Sequence, residues 1–304
     1  MFKYLLLDRS RFYIFITISI IYSVTSSLLA LVLANIMEAA AGDSLEVLFV
    51  ATGVAIASIL FYSILQYIYK MLKNNILTKS LISLKSDLFS AIIEKDINDF
   101  EVRNSASYIN ELTTKVNMVS RMYFSNFIAL LNLMISFISA VVVTIYFQPI
   151  LLLLMFVLGF ISFFVSKRVG KGIEDATKAV SDSAETYQVG LKEFFSGFKL
   201  IKIFAIASNI IGLHEKINSD LENKKKAYNL KTARVDCVTL YIGFMSTILI
   251  MAAASAFAVS GLISVGAVFA VGHLMGQVTS PIHAIPSIQL NFKSVKPIIA
   301  ELKV

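Results

Sequence analysis

The sequence predicts an all-α membrane protein with six transmembrane helices and two long helical cytoplasmic loops, and three observations predict it. Apolar residues make up 57% of the 304 residues and charged ones 15%, with a mean hydropathy of +0.76, far outside the usage of a soluble domain. Four windows contain no Asp, Glu, Lys or Arg: Phe12 to Met37, Val47 to Tyr69, Met122 to Ser166 and Cys237 to Phe292. Each is long enough for a bilayer, whose apolar core of about 30 Å needs about 20 helical residues. With six spans, all 27 lysines and arginines fall on one side, the side that cytoplasmic loops occupy.

The first two windows hold one span each, about residues 12–37 and 47–69, joined by an outer loop with Glu38, Asp43 and Glu46. Although "AAAG" at Ala39 to Gly42 imitates a signal-peptide cleavage site, the 26 apolar residues before it exceed the 7–15 of a cleavable signal. The first span is therefore an uncleaved helix. Residues 70–121 form the first cytoplasmic loop. The third window is too long for one span and carries Gln148-Pro149, where proline removes a backbone donor and favours a connection; it divides into spans 122–147 and 149–166. Residues 167–236 form the second cytoplasmic loop. The fourth window carries "SGLISVG" from Ser260 to Gly266, turn chemistry that separates spans 237–260 and 262–292. Both termini are then cytoplasmic, and the net charge of +7 reports loop orientation. No basic-aromatic pattern points to a nucleic-acid partner.

The prolines stand at positions 149, 281, 286 and 297, so neither cytoplasmic loop contains one and helices are expected to run out of the membrane unbroken. As two antiparallel helices of about 35 residues the second loop would project about 50 Å. Within it, "GFKLIKIFAIASN", Gly197 to Asn209, is too short to cross a bilayer. Its apolar girth predicts a helix end buried against other helices, with "AIASNIIGLHEKIN" as the turn at the tip.

Polar residues inside spans are the functional candidates. His273, Gln277, Ser280, Ser287 and Asn291 lie on one line of the sixth span, either lining a substrate pathway or hydrogen-bonding between helices. Pro281 and Pro286 predict a bend there, as a hinge or a fixed kink. Ser125, Asn132, Ser136 and Ser139 make a weaker stripe on the third span, where packing is the better assignment. Ser58, Tyr62, Gln66 and Tyr69 make another on the second. Gly272 and Gly276 have the G-x-x-x-G spacing of close helix approach. His273 and His283 have no ligand-rich neighbourhood, so no metal site is expected. His214 beside Glu215 and Lys216 carries no catalytic arrangement, and Cys237 is a packing residue.

"SGFKLIKIFAIASN", "SGLISVGAVFAV" and "LFSAIIEKDINDFEVRNSASYINELTTKV" together resemble the transmembrane domain of type I ABC exporters over nearly the whole chain. The resemblance implies a domain-swapped dimer with a second copy or a homologous half-transporter. It also implies loop tips that couple to a nucleotide-binding domain through Arg103, Asn104, Ser105, Ser107 and Tyr108 in the first loop. In the second loop the corresponding residues are Ala207, Ser208, Asn209, Ile210 and Leu213. The first loop departs from the family in having Ala106, Glu111 and Lys115 where Gly, Arg and Asp are usual; Glu111 and Lys115 either keep a local i,i+4 ion pair with exchanged signs or form a solvated helix face. The sequence has no G-x-x-x-x-G-K-[S/T]. ATP and Mg are therefore expected on a nucleotide-binding domain outside this sequence, beyond Val304 or on a separate chain, and no cofactor is expected here.

The function expected is the membrane half of an ATP-driven exporter in the cell (inner) membrane, moving an amphipathic or apolar cargo (peptide, drug or lipid-like) by alternating access. The alternative is a motor-independent secondary transporter or channel, which would call for intramembrane acids or broken helices. A membrane receptor or scaffold would leave the two long proline-free loops unexplained.

Overall fold

The computed structural model describes residues 1–42, 44–101 and 104–302, with Ala106 and Glu174 described by their backbone alone. Among the described residues there are helices and turns and no strand. Six helices are long and apolar enough to cross a membrane: α2 (Arg9–Ala41), α3 (Leu45–Ile93), the run Ser107–Phe147, α8 (Pro149–Val169), α11 (Ala207–Val259) and α12 (Val265–Glu301). The short helices are α1 (Phe2–Leu5), α4 (Ile97–Glu101), α5 (Ser105–Asn110), α6 (Val116–Val119) and α10 (Phe198–Ile203), and α9 (Ile173–Ser196) is a long polar one. The run to Phe147 comprises α5, a wide π-turn at Glu111–Lys115, α6, a second π-turn at Ser120–Phe124, and α7 (Ser125–Phe147).

Local chemistry sets the helix ends. The Asp8 carboxylate accepts the Arg11 N–H at 3.2 Å and caps α2. That bond, with Lys79 and the Arg11 side chain beside it, holds the carboxyl below its usual range. Helix α7 stops at Gln148, which is extended, and Pro149 opens α8, where the missing proline N–H costs nothing. Ser264 caps α12 by accepting the Ala267 N–H at 3.2 Å, and its hydroxyl donates to Glu38. Pro281, Pro286 and Pro297 all lie inside α12, whose helical assignment continues through them.

Two compact units make up the chain: Met1–Phe160 with Ser246–Val304, and Ile161–Met245. In the first, small residues of α2 (Ser19, Ser23, Ser27, Ala30 and Ala34) recur every three or four positions and are buried. Side chains this small let helix backbones approach, the main source of helix association in lipid. α2 packs on α3, α7 and α12. Gly266 comes so close to α2 that a Cβ there would stand 2.2 Å from the Ala34 carbonyl oxygen. At the end of the unit that holds both chain termini, Tyr4, Leu5, Leu84, Leu88, Val116, Val119, Phe124, Val295 and Leu302 form one buried cluster. Tyr4 donates its hydroxyl to Asp87 at 2.8 Å; burial, reinforced by that carboxylate, pushes the phenol pKa up.

The second unit is an antiparallel arm. Ser183 meets Asp220 and Lys224, Tyr187 meets His214, and Gly190 faces Ile217, so sequence positions run in opposite directions along α9 and α11. The Lys224 ammonium and the Ser183 hydroxyl both bond the Asp220 carboxylate and keep it below its usual range.

The outbound part of this arm is not the unbroken helix that the lack of proline suggests. Gly172 has φ of 83° between α8 and α9, and Gly197 separates α9 from α10. Glycine is a common helix terminator, because it takes the left-handed conformation without a Cβ penalty. Burial of Gly197 to Phe204 is also not found: α10 has no buried residue. The turn lies at Phe204–Ile206, and "AIASNIIGLHEKIN" from Ala207 onward is already α11. Here Ile206 N–H bonds Ile201 O and Ala205 N–H bonds Lys202 O, a Schellman pattern with Ala205 in the left-handed position at φ of 52°. An L side chain there costs about 1–2 kcal/mol. Ala205→Gly should therefore raise stability by about 0.5–1 kcal/mol after the extra unfolded-chain entropy of glycine. A higher thermal midpoint for Ala205→Gly, and a lower one for Ala205→Val, is the expected result.

Candidate functional site

The candidate site inside the membrane is a polar seam shared by α2, α7 and α12. Gln277 stands at its centre. Its Oε1 accepts from Ser27 at 2.7 Å and from Ser136 at 3.4 Å, and its Nε2 donates to Ser26 Oγ at 3.3 Å. Ser23 donates to Asn132 Oδ1 at 3.4 Å, and Ser139 donates to the Ser23 carbonyl at 3.4 Å. His273 Nε2 lies 3.3 Å from the Ser26 carbonyl and 3.4 Å from Gln277 Nε2. One ring nitrogen either donates or accepts, so these two contacts are alternatives: donation to Ser26 in one tautomer, acceptance from Gln277 in the other. No buried side-chain nitrogen or oxygen among the described residues lacks a partner, as the cost of burying polar groups in hydrocarbon demands.

The seam contains two residues of the predicted stripe on α12 and not the other three. His273, Ser280 and Ser287 are exposed, and Gln277 and Asn291 are partly buried. Leu274, Val278, Pro281, Ile288 and Val295 pack the neighbouring face. Ser287 bonds the Ala284 carbonyl of its own helix; Ser280 and Asn291 make no side-chain hydrogen bond among the described residues. The weaker stripe on α7 supplies Asn132, Ser136 and Ser139 to the same seam. Tyr62, Gln66 and Tyr69 of α3 instead meet Tyr22: Tyr22 stacks on Tyr62 and Tyr69, each at 5.1 Å, and Gln66 donates to its hydroxyl.

Sequence reasoning missed Ser23, Ser26 and Ser27 of α2. The signal was present in the i, i+4 recurrence of Ser19, Ser23 and Ser27 through an apolar run. The two glycines of the G-x-x-x-G pair differ. A Cβ on Gly272 would stand 3.0 Å from the Met251 sulfur and one on Gly276 would meet nothing within 4 Å, while the approach to another helix's backbone is at Gly266.

The tips of the two long excursions hold the remaining candidates. Arg103 lies outside the described residues. In the first tip Asn104 accepts the Ser107 N–H at 2.8 Å and the Ser105 hydroxyl at 3.3 Å, which starts α5. Tyr108 is only 4% exposed; it stacks on Phe100 at 4.8 Å, with Lys95 over its ring, and donates toward the Asp99 and Phe100 carbonyls. It ties α5 to α4 from inside the tip. In the second tip Ala207, Ser208, Asn209, Ile210 and Leu213 occupy the first two turns of α11. Ser208, Asn209 and Leu213 are exposed, and Ala207 and Ile210 are partly buried. Phe195, Phe198, Leu200, Ile203 and Phe204 are also exposed beside them, Phe195 to 73%. No group of three or more His, Cys, Asp or Glu among the described residues is placed to hold a metal ion.

Among the described residues, six apolar helices, no Asp, Glu, Lys or Arg within the four windows, and a polar seam whose buried side-chain groups all have partners define a multi-pass integral membrane protein. The chain matches the family model of the ABC transporter transmembrane region over residues 12–282 and belongs to that family. It is the membrane part of an ABC transporter, a role that pairs it with a nucleotide-binding domain. The comparison with curated proteins returns no match.

Proposed function

We propose that this chain is one membrane half of a dimeric exporter, which carries an amphipathic or apolar cargo out of the cytoplasm by alternating access. ATP and Mg act on the partnered nucleotide-binding domain. The observation that carries the reading is the asymmetry of α12: one face is packed, while along the line from His273 to Asn291 the imidazole of His273 and the hydroxyls of Ser280 and Ser287 are exposed and the amides of Gln277 and Asn291 are partly so. A route lined this way, without Arg or Lys at depth, suits a cargo with few charges. The exposed apolar second tip supports docking to another chain, because an exposed apolar patch of this kind marks an interaction surface. Domain-swapped pairing with a second copy or a homologous half gives that patch its partner. Every Lys and Arg on one side of the spans supports cytoplasmic termini in an inner membrane.

Gln277→Leu tests the route in the transporter assembled with its nucleotide-binding domain. Loss of this amide leaves Ser27 with its remaining acceptor, the Ser23 carbonyl at 3.3 Å, so the stability cost should be about 0.6 kcal/mol and at most about 1.7. ATP-dependent uptake of cargo into inside-out vesicles should fall several-fold, with the thermal midpoint little changed. A lowered midpoint with unaltered uptake would assign Gln277 to helix packing and remove the route.

A further inference from the structure

The first cytoplasmic excursion carries an ion-pair arrangement that the transport reading does not use. Lys115 Nζ lies 2.6 Å from Glu301 Oε2, in the last turn of α12, and 3.6 Å from Glu111 Oε1, four residues back on its own helix. The Glu111 side chain is 7% exposed, that of Lys115 23% and that of Glu301 57%. Glu111 and Lys115 are the two ends of the wide π-turn, in which the Val116 N–H bonds back to the Glu111 carbonyl. Such insertions are concentrated at functional positions. Beneath them Leu302 and Val295 of the α12 end pack with Val116 and Val119.

The two halves of this arrangement differ in kind. A nearly buried carboxylate is costly unless a cation stays beside it, and Lys115 on the same helix is one such cation, so the pair keeps the ammonium against its own helix. Glu301 is more than half in water, where an ion pair is weak and salt-screened. Apolar burial of Leu302 against Val116 and Val119 is non-directional and leaves the last turn free to rotate or slide. The ammonium supplies the direction that burial lacks.

We infer that Lys115 is a positioning residue: held by Glu111, it fastens the end of the sixth transmembrane helix to the first cytoplasmic excursion through Glu301, and Glu301 is the half of the joint that releases. The inference concerns how the end of α12 is held and stands apart from the identity of the cargo and the direction of transport. Its signature is reversibility of charge. Any arrangement with opposite signs at these three positions should hold the joint, and one that places like signs at positions 115 and 301 should open it.

The test uses the full assembly with one protomer carrying Cys237→Ser and spin labels at Thr114→Cys and Ala300→Cys, two exposed positions flanking the joint. Glu301→Lys should lengthen and broaden the measured separation. The triple reversal Glu111→Lys, Lys115→Glu, Glu301→Lys should restore the parent distribution. About 1 M NaCl, where screening acts within about 3 Å, should broaden the parent distribution and leave that of Glu301→Lys unchanged. A distribution for Glu301→Lys that superposes on the parent overturns the inference, and so does a folded triple variant that stays broad. If the triple reversal does not fold, the salt comparison decides: a parent distribution insensitive to salt overturns the assignment, and the stated broadening supports it.

Discussion

Gly266→Leu should leave almost no folded protein, whereas Gly276→Leu on the same helix should fold normally. At Gly266 a Cβ would meet the Ala34 carbonyl oxygen at 2.2 Å, its carbon at 2.7 Å and its Cα at 2.8 Å. All three are backbone atoms of α2 and have no rotamer by which to withdraw. The helices themselves must separate. Ser264 and Glu38 tie the same ends together two residues earlier, so separation also breaks that hydrogen bond. Ordinary overpacking costs about 1–3 kcal/mol, and Gly266→Ala should sit at or above the top of that range; leucine adds three further carbons to the same collision. Gly272 falls between the extremes, because its neighbour at 3.0 Å is the Met251 sulfur, a flexible side chain that can move aside. The thermal midpoints of alanine variants should therefore fall in the order Gly276, Gly272, Gly266, with Gly266 lowest. Equal midpoints at Gly266 and Gly276 would mean that α2 and α12 are not in backbone contact.

The same glycines illustrate which parts of the structure were legible in the sequence. Span number and the two short turns between spans follow from charge-free windows, Gln148-Pro149 and "SGLISVG", because a bilayer tolerates few alternatives and each signal is local. Of the two glycines spaced for close approach, Gly272 is crowded by Met251 and Gly276 is not, and the backbone contact is at Gly266. Spacing identifies a face of a helix, and only the position of the neighbouring helix decides which glycine on it is crowded. The polar stripe on α12 was legible as a line. Its division into Gln277 and His273, which reach across to α2, and Ser280, Ser287 and Asn291, which do not, depends on where α2 and α7 stand. In the second excursion proline was taken as the measure of continuity, yet Gly172 and Gly197 interrupt the outbound helix. The apolar girth of Phe198 to Phe204 predicts burial against other helices, and the structure buries none of these side chains, because periodicity reports which faces are apolar and not whether a neighbour covers them.

State-dependent access to Ser280 is the second large effect expected, and it bears on alternating access itself. Ser280 is exposed, makes no side-chain hydrogen bond among the described residues, and lies mid-stripe one turn from Gln277. A cysteine there should report solvent without disturbing the seam. Cys237 is also exposed, so the background is Cys237→Ser, in the transporter assembled with its nucleotide-binding domain and sealed in vesicles of known orientation. Thiols react as thiolates, whose formation needs water, and an impermeant reagent reaches the residue only from the side on which the route is open. The measurement is the labelling rate of Ser280→Cys from each side, without nucleotide and with ATP trapped on the motor. The account predicts labelling from the cytoplasmic side alone without nucleotide, and from the outer side alone with ATP trapped. Labelling from the same side in both states, or from neither, would contradict it.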